Sequence, residues 1–99
     1  MTKRRITFRV NPHVEESELN ALFADAWPED APVYFQRQLS HSLAYVCAYR
    51  GTDLVGFVNL AWDGKTHAFL LDPTVRRGCQ HRGIGTALVE RAKALARKA

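Results

Sequence analysis

The sequence predicts an α/β (α+β) chain in which a four-stranded, mainly antiparallel sheet carries flanking helices. Three patterns predict it. Apolar and polar residues alternate over residues 5–10, as in a half-buried strand. Asp63-Gly64 separates two runs rich in apolar and aromatic residues, a strong hairpin signal. Ile84, Leu88, Ala92 and Leu95 form one stripe of an amphipathic helix that starts directly at a glycine-containing loop.

Taken in order, Ile6, Phe8 and Val10 give the first strand its apolar face, and Asn11-Pro12 ends it. Asn11 fits a helix N-cap with Pro12 in the first helical position, and Glu15, Glu16 and Glu18 suit a helix N-terminus. Leu19, Leu22, Phe23, Ala26 and Trp27 recur at helical spacing, so this helix is expected to end near Trp27-Pro28. Glu29-Asp30-Ala31-Pro32 reads as a loop, and Phe35 and Leu39 suggest a short second helix over residues 33–40. Strands follow over residues 43–49, 54–62 and 66–75, with Gly51-Thr52-Asp53 as the first turn. Pro73 lacks an N–H, so the last strand is expected to kink or to leave one side unpaired.

With 99 residues the chain is expected to be one domain with a modest core. Its 46% hydrophobic and 10% aromatic content excludes a disordered class. No apolar run reaches the ~20 residues of a membrane span, and the polar start Thr2-Lys3-Arg4-Arg5 lacks the apolar stretch of a signal peptide. A cytoplasmic protein without membrane contact is therefore expected. Cys47 and Cys79 fit neither a zinc spacing nor a disulfide framework. Cys47, in an apolar stretch, reads as a reduced core residue. Cys79, beside a helix start, is either a bystander or a thiol whose pKa the helix lowers. The four histidines are neither paired nor joined by spaced carboxylates, so no metal site is expected.

The formal charge of +4 is unevenly placed. Residues 76–99 hold seven basic side chains and one acid, a net +6, against −2 for residues 1–75. Such a concentration suits an anionic ligand. Arg97 and Lys98 instead match the C-terminal end of a helix dipole, whereas Arg76, Arg77 and Arg82 flank the glycine loop.

That loop, Gln80-His81-Arg82-Gly83-Ile84-Gly85, is the most informative stretch. Glycines let a backbone approach a ligand and turn its N–H groups to a common point. A helix starting there adds unpaired N–H donors and the positive end of its dipole, a site for phosphate or pyrophosphate. A dinucleotide fingerprint would need a third glycine where Leu88 stands, and a Walker loop would need a lysine where Thr86 follows Gly85.

A strand, then Gln-x-x-Gly-x-Gly, then an amphipathic helix resembles the acetyl-coenzyme A signature of the GNAT superfamily of N-acetyltransferases. The order of the preceding elements matches as well. The stretch from Asp63 to Asp72, with Val75 and residues 80–89, is similar to a bacterial subgroup of that superfamily. The resemblance covers essentially the whole chain, read as a single partial domain over residues 1–99. It implies a truncated GNAT-like fold that stops short of the family's further strand, helix and final hairpin. By this resemblance the backbone of Gln80, His81, Arg82, Gly83, Ile84, Gly85 and Thr86 would hold the coenzyme pyrophosphate. The main chain at Val75 would pair with pantetheine amides, and Arg76, Arg77 and Arg82 would add attraction. His81 would be a solvent-facing spacer. Arg77 and Cys79 depart from the proline and aromatic residue frequent in the subgroup.

Acetyl transfer to an amine needs a proton acceptor, a donor for the thioester oxygen and an acid for the thiolate. Asp72, beside Pro73, is the candidate base, or else a polar residue bonded locally at the strand kink. His67 has a suitable ordinary pKa but follows a turn, and His13 and His41 read as surface residues. Trp27, Phe35 and Trp62 read as core residues or as walls of an acceptor pocket. The expected function is transfer of an acetyl group from acetyl-CoA to a primary amine of unidentified structure by a homodimer or higher oligomer. Two other readings remain: a non-catalytic module binding coenzyme A or a protein, and, ranked below both, a nucleic-acid binder. The last lacks a binding motif and an aromatic platform.

Overall fold

A computed structural model describes residues 5–28, 39, 42–62 and 68–98, with the side chains of Leu71 and Asp72 outside that description. The elements are β1 (Ile6–Val10), α1 (Glu16–Ala26), β2 (Ser42–Arg50), β3 (Asp53–Trp62), β4 (Ala68–Val75), a 3₁₀ turn (Arg77–Cys79) and α2 (Ile84–Lys98). The strands pair in sequence order, every neighbour antiparallel. The short helix expected over residues 33–40 lies outside the described residues except for Leu39, which packs on the α1 side. The Asp63-Gly64 turn, His41 and His67 lie outside them too.

Each face of the sheet buries one helix. On one face Val14, Leu19 and Leu22 meet Cys47, Leu54 and Phe57. On the other, Ile84, Leu88 and Ala92 meet Val46, Ala48, Val55 and Val58, with Leu95 packed at the margin. The stripe seen in the sequence of α2 is thus its buried face. The register shifts at three places, between Ser42 and Ala44, between Ala48 and Tyr49, and between Phe57 and Asn59; the last two shape the site. Ala48 pairs with Gly56 but Tyr49 with Leu54, so β3 carries an extra residue, Val55. That bulge turns both Val55 and Gly56 toward α2. A Cβ on Gly56 would lie 3.0 Å from Leu88 Cδ1, 3.2 Å from Ala48 Cβ and 3.3 Å from Ile84 Cγ2. The helix therefore docks where the sheet has no side chain. On β4 the register runs from Phe57 opposite Thr74 to Asn59 opposite Leu71. Asp72 and Pro73 thus share one place opposite Val58, and the bulge accommodates a proline that cannot donate.

The start of α1 differs from the sequence expectation. The N-cap is Glu15, in a capping box with Glu18, not Asn11. Asn11 takes a left-handed φ of 53°, and its side-chain oxygen accepts the N–H of Tyr45 at 2.9 Å. The Tyr45 hydroxyl donates to the Pro12 carbonyl at 2.6 Å. Asn11-Pro12 therefore ties the end of β1 to β2 rather than starting a helix. His13 is exposed as expected, and its Nε2 lies 2.8 Å from Glu15.

Cys47 and Cys79 are free and buried, which settles Cys79 as a core residue beneath α2. Burial pushes the Cys47 thiol up from an ordinary 9.0 to about 12. Burial, with Cys47 and Glu18 nearby, pushes the Tyr49 phenol up from 10.0 to about 12.

Two outcomes follow from this packing. Gly56→Val places methyl groups against Leu88 and Ile84 and is expected to cost about 1–3 kcal/mol in urea denaturation. Because Cys47 and Tyr49 hold their protons more tightly when folded, the folded chain binds more protons than the unfolded chain from pH 9.0 upward. Stability is therefore full below that pH and falls toward about pH 12, where both groups titrate in the folded state. Denaturation midpoints measured across that range are expected to drop, and Cys47→Ala to flatten part of the drop.

Candidate functional site

In the sheet order β4 is an edge strand, and a cleft of about 620 Å³ runs along it. Ala26 and Trp27, ending α1, form one wall; Pro73, Thr74 and Val75 form the floor. The opposite wall is Arg77, Gln80 and His81, with Gly83, Gly85 and Thr86 at the start of α2. The cleft therefore wraps the strand edge, from the end of a helix on one face to the beginning of a helix on the other.

The Arg76 N–H donates to the Val55 carbonyl at 2.8 Å. In an antiparallel ladder that turns the N–H and C=O of the preceding Val75 outward, over the cleft. The Val75 carbonyl accepts from the Gln80 side-chain Nε2 at 2.9 Å. The 3₁₀ turn uses the N–H of Cys79, to Arg76 at 2.8 Å, and that of Gln80, to Arg77 at 3.3 Å. His81 (φ 64°) and Gly83 (φ 83°) then take left-handed conformations that reverse the chain into α2.

The first i→i−4 bond of α2 runs from the Ala87 N–H to the Gly83 carbonyl at 3.0 Å. The N–H groups of Ile84, Gly85 and Thr86 precede that bond, so the helix leaves them unpaired at its positive end. Gly83 has open space around a would-be Cβ, so its glycine answers the backbone angle. Gly85 has ordinary helical geometry, and a Cβ there would meet only Val75 Cγ2, at 3.6 Å. Nothing among the described residues demands glycine at Gly85.

The sequence candidates separate on this geometry. Val75, Gln80, His81, Gly83, Gly85 and Thr86 line the cleft. The Ile84 side chain is buried beneath α2, which leaves its N–H as its contribution, and Arg82 is exposed outside the lining. The Gln80 N–H is used inside the turn, so Gln80 faces the cleft through its side chain. Arg76 does not flank the loop as expected: its guanidinium runs back to the Leu54 carbonyl, 3.4 Å away. The backbone of Asp72 stands in the β4 bulge; its side chain lies outside the described residues.

Trp27 is 48% exposed and Trp62 42%, which corrects their reading as core residues. Only Trp27 reaches the cleft, and Phe35 lies outside the described residues. Sequence reasoning missed Asp25, whose carboxylate accepts the Arg77 N–H at 2.8 Å. No sequence signal marks that contact, because it joins elements far apart in the chain. Among the described residues no group of histidine, cysteine or carboxylate side chains could hold a metal. Among the described residues no helix is long and apolar enough to cross a membrane.

Fold and cleft together define an antiparallel α/β protein with a cleft that joins a helix start to the sheet's edge. The acetyltransferase (GNAT) family model matches residues 13–99, and the chain belongs to that family, whose chemistry is acetyl transfer from acetyl-CoA. No curated protein matches the sequence. Among solved structures, a GNAT family acetyltransferase from Streptococcus pneumoniae is 27% identical with a TM-score of 0.82, over 96% of this chain and 70% of that one. A GNAT acetyltransferase from Brucella melitensis, solved with acetyl-CoA, has a TM-score of 0.77 at 17% identity, over 96% of this chain and 70% of that one. The PaiA N-acetyltransferase of Thermoplasma acidophilum, solved with coenzyme A, has a TM-score of 0.71 at 15% identity, over 93% and 73%.

The two glycines are expected to respond oppositely to alanine. Gly83→Ala forces a Cβ into a left-handed φ and is expected to lower stability by about 1–2 kcal/mol. Gly85→Ala sits in the helix and is expected to leave stability unchanged or raise it by up to about 1 kcal/mol. Thermal and urea unfolding of the two variants checks both.

Proposed function

We propose that this chain binds acetyl-CoA in the β4-edge cleft and transfers its acetyl group to a primary amine. The observation that carries the reading is the meeting, in one cleft, of a strand edge and a helix start. The unpaired N–H groups of Ile84, Gly85 and Thr86 receive the diphosphate. The outward N–H and C=O of Val75 pair with the pantetheine amides as a strand partner would. The pantetheine amide N–H takes the Val75 carbonyl from Gln80 Nε2. Arg77 and Arg82 add attraction for the nucleotide phosphates.

The coenzyme then runs along β4 toward the bulge at Asp72 and Pro73. There the amine nitrogen attacks the thioester carbonyl, forming the N–C bond as the C–S bond breaks. Asp72 accepts the ammonium proton, and the departing thiolate takes a proton from solvent water to leave as the thiol. Homologous structures with acetyl-CoA and coenzyme A support the ligand. The buried, free cysteines support a reducing, cytoplasmic setting. The open β4 edge and the exposed Phe69 and Trp62 support a homodimer.

Calorimetric titration with acetyl-CoA is expected to give micromolar binding, abolished by Gly85→Glu in a chain with unchanged circular dichroism. Release of free thiol with a panel of amines is expected to fall at least about 100-fold in Asp72→Asn while binding persists. Binding without thiol release from the parent chain would leave a coenzyme-binding module, and absence of binding would overturn the reading. A monomeric mass in sedimentation equilibrium would remove the dimer.

A further inference from the structure

We infer that Asp25 and Trp27, at the end of α1, are positioning residues for the coenzyme site, acting as a clasp on the junction between β4 and the phosphate loop. The inference rests on the acetyl-CoA reading and assigns part of that site to a helix on the other face of the sheet.

The Trp27 indole N–H donates to Thr74 Oγ1 at 3.2 Å. Three residues further along the junction, the Asp25 carboxylate accepts the Arg77 N–H at 2.8 Å. The two bonds bracket Val75 and Arg76, the segment whose outward edge faces the cleft. Both bonded partners, Thr74 and Arg77, also line that cleft, as Trp27 does. The clasp joins parts of the chain separated by 47 and 52 residues.

Arg77 opens the 3₁₀ turn, and the N–H at the start of such a turn has no partner within it. Asp25 supplies that partner. Since the turn ends at buried Cys79 and leads through Gln80 into α2, fixing its first N–H fixes the direction in which the loop departs from β4. Trp27 does the same for the strand side. Its N–H reaches over the sheet to Thr74, the residue immediately before Val75. α1 ends at this point, with the Trp27 backbone N–H bonded to the Phe23 carbonyl at 2.7 Å, so the clasp is rooted in a complete helical turn. The distance between the Val75 edge and the unpaired N–H groups of α2, which an extended pantetheine diphosphate must match, is thereby set from both sides.

A carboxylate close to a diphosphate site would oppose the ligand if its charge mattered more than its hydrogen bond. The two effects part in Asp25→Asn, which keeps an oxygen acceptor and loses the charge. In the full chain, Asp25→Ala is expected to weaken acetyl-CoA binding about tenfold, and Asp25→Asn to restore it to within about threefold of the parent. Trp27→Phe, which keeps an aromatic side chain but loses the donor and part of the indole's bulk, is expected to weaken binding about threefold to tenfold. Amide hydrogen exchange without ligand is expected to quicken at residues 77–86 in Asp25→Ala and not in Asp25→Asn.

Equal affinity of the parent chain and Asp25→Ala, with both folded, overturns the clasp while the acetyl-CoA reading stands. Equal losses in Asp25→Ala and Asp25→Asn overturn it as well, since positioning by a hydrogen bond would survive the amide. If the parent chain binds no acetyl-CoA, the parent reading fails and this inference fails with it. Should Asp25→Ala not fold, Trp27→Phe and the exchange rates of Asp25→Asn decide.

Discussion

The close approach of α2 to β3 at Gly56 is the contact on which the site depends. Ile84 and Leu88 stand over a position without a side chain, within about one atom's contact of where a Cβ would be. That proximity brings the first turn of the helix down beside the end of β4, where Gly85 faces Val75. A helix held further from the sheet would carry its unpaired N–H groups away from the strand edge, and the cleft would lose one wall. The β3 bulge serves the same end: it turns Val55 and Gly56 to one face, so a side chain that fills the core stands next to a gap that admits the helix.

The second constraint is the incompletely paired edge of β4. An edge strand presents backbone donors and acceptors that must find partners in water, in another chain or in a ligand. Here the bulge at Asp72 and Pro73 breaks the regular ladder, and the Gln80 side chain occupies the Val75 carbonyl. Backbone groups are thus offered at one stretch and withheld at the next. β1 is the other outer strand of the sheet, but α1 and α2 both end or begin beside β4. The ends of two helices decide which edge carries this cleft.

Much of this was legible in the sequence where the pattern was local. The α2 stripe, the four strands and the glycine loop each depend on periodicity or on residues adjacent in the chain, and the structure reproduces them. The readings that changed depend on distant partners. Asn11-Pro12 has the composition of a helix start, yet Tyr45, in another strand, bonds both residues and outweighs the local preference. Trp27 looked like core because large apolar residues usually are, but its indole N–H needs a partner and finds Thr74 at the margin of the cleft. Asp25 was invisible for the same reason: a carboxylate near the end of a helix has no distinguishing neighbour until the fold brings Arg77 to it.

Charge gives the clearest case in which the fold uses residues differently from what their composition suggests. The basic C-terminal part of the chain suggests recognition by guanidinium groups. In the fold, Arg76 turns inward to the Leu54 carbonyl and Arg91 lies 4.3 Å from the centroid of the Phe8 ring, so two of these cations serve packing. What faces the cleft at the helix start is backbone. Backbone N–H groups held by a helix lose no side-chain freedom when a ligand arrives, and their partial charges are already oriented. Recognition built this way answers to shape before charge. On the proposed reading, one atom added at Gly85 would lie where the ligand comes close, whereas an exposed arginine such as Arg82 would contribute through screened, longer-range attraction. The demand for accurate backbone placement is also why the loop is tied down at Val55, at Cys79 and at Asp25, three anchors in three different elements.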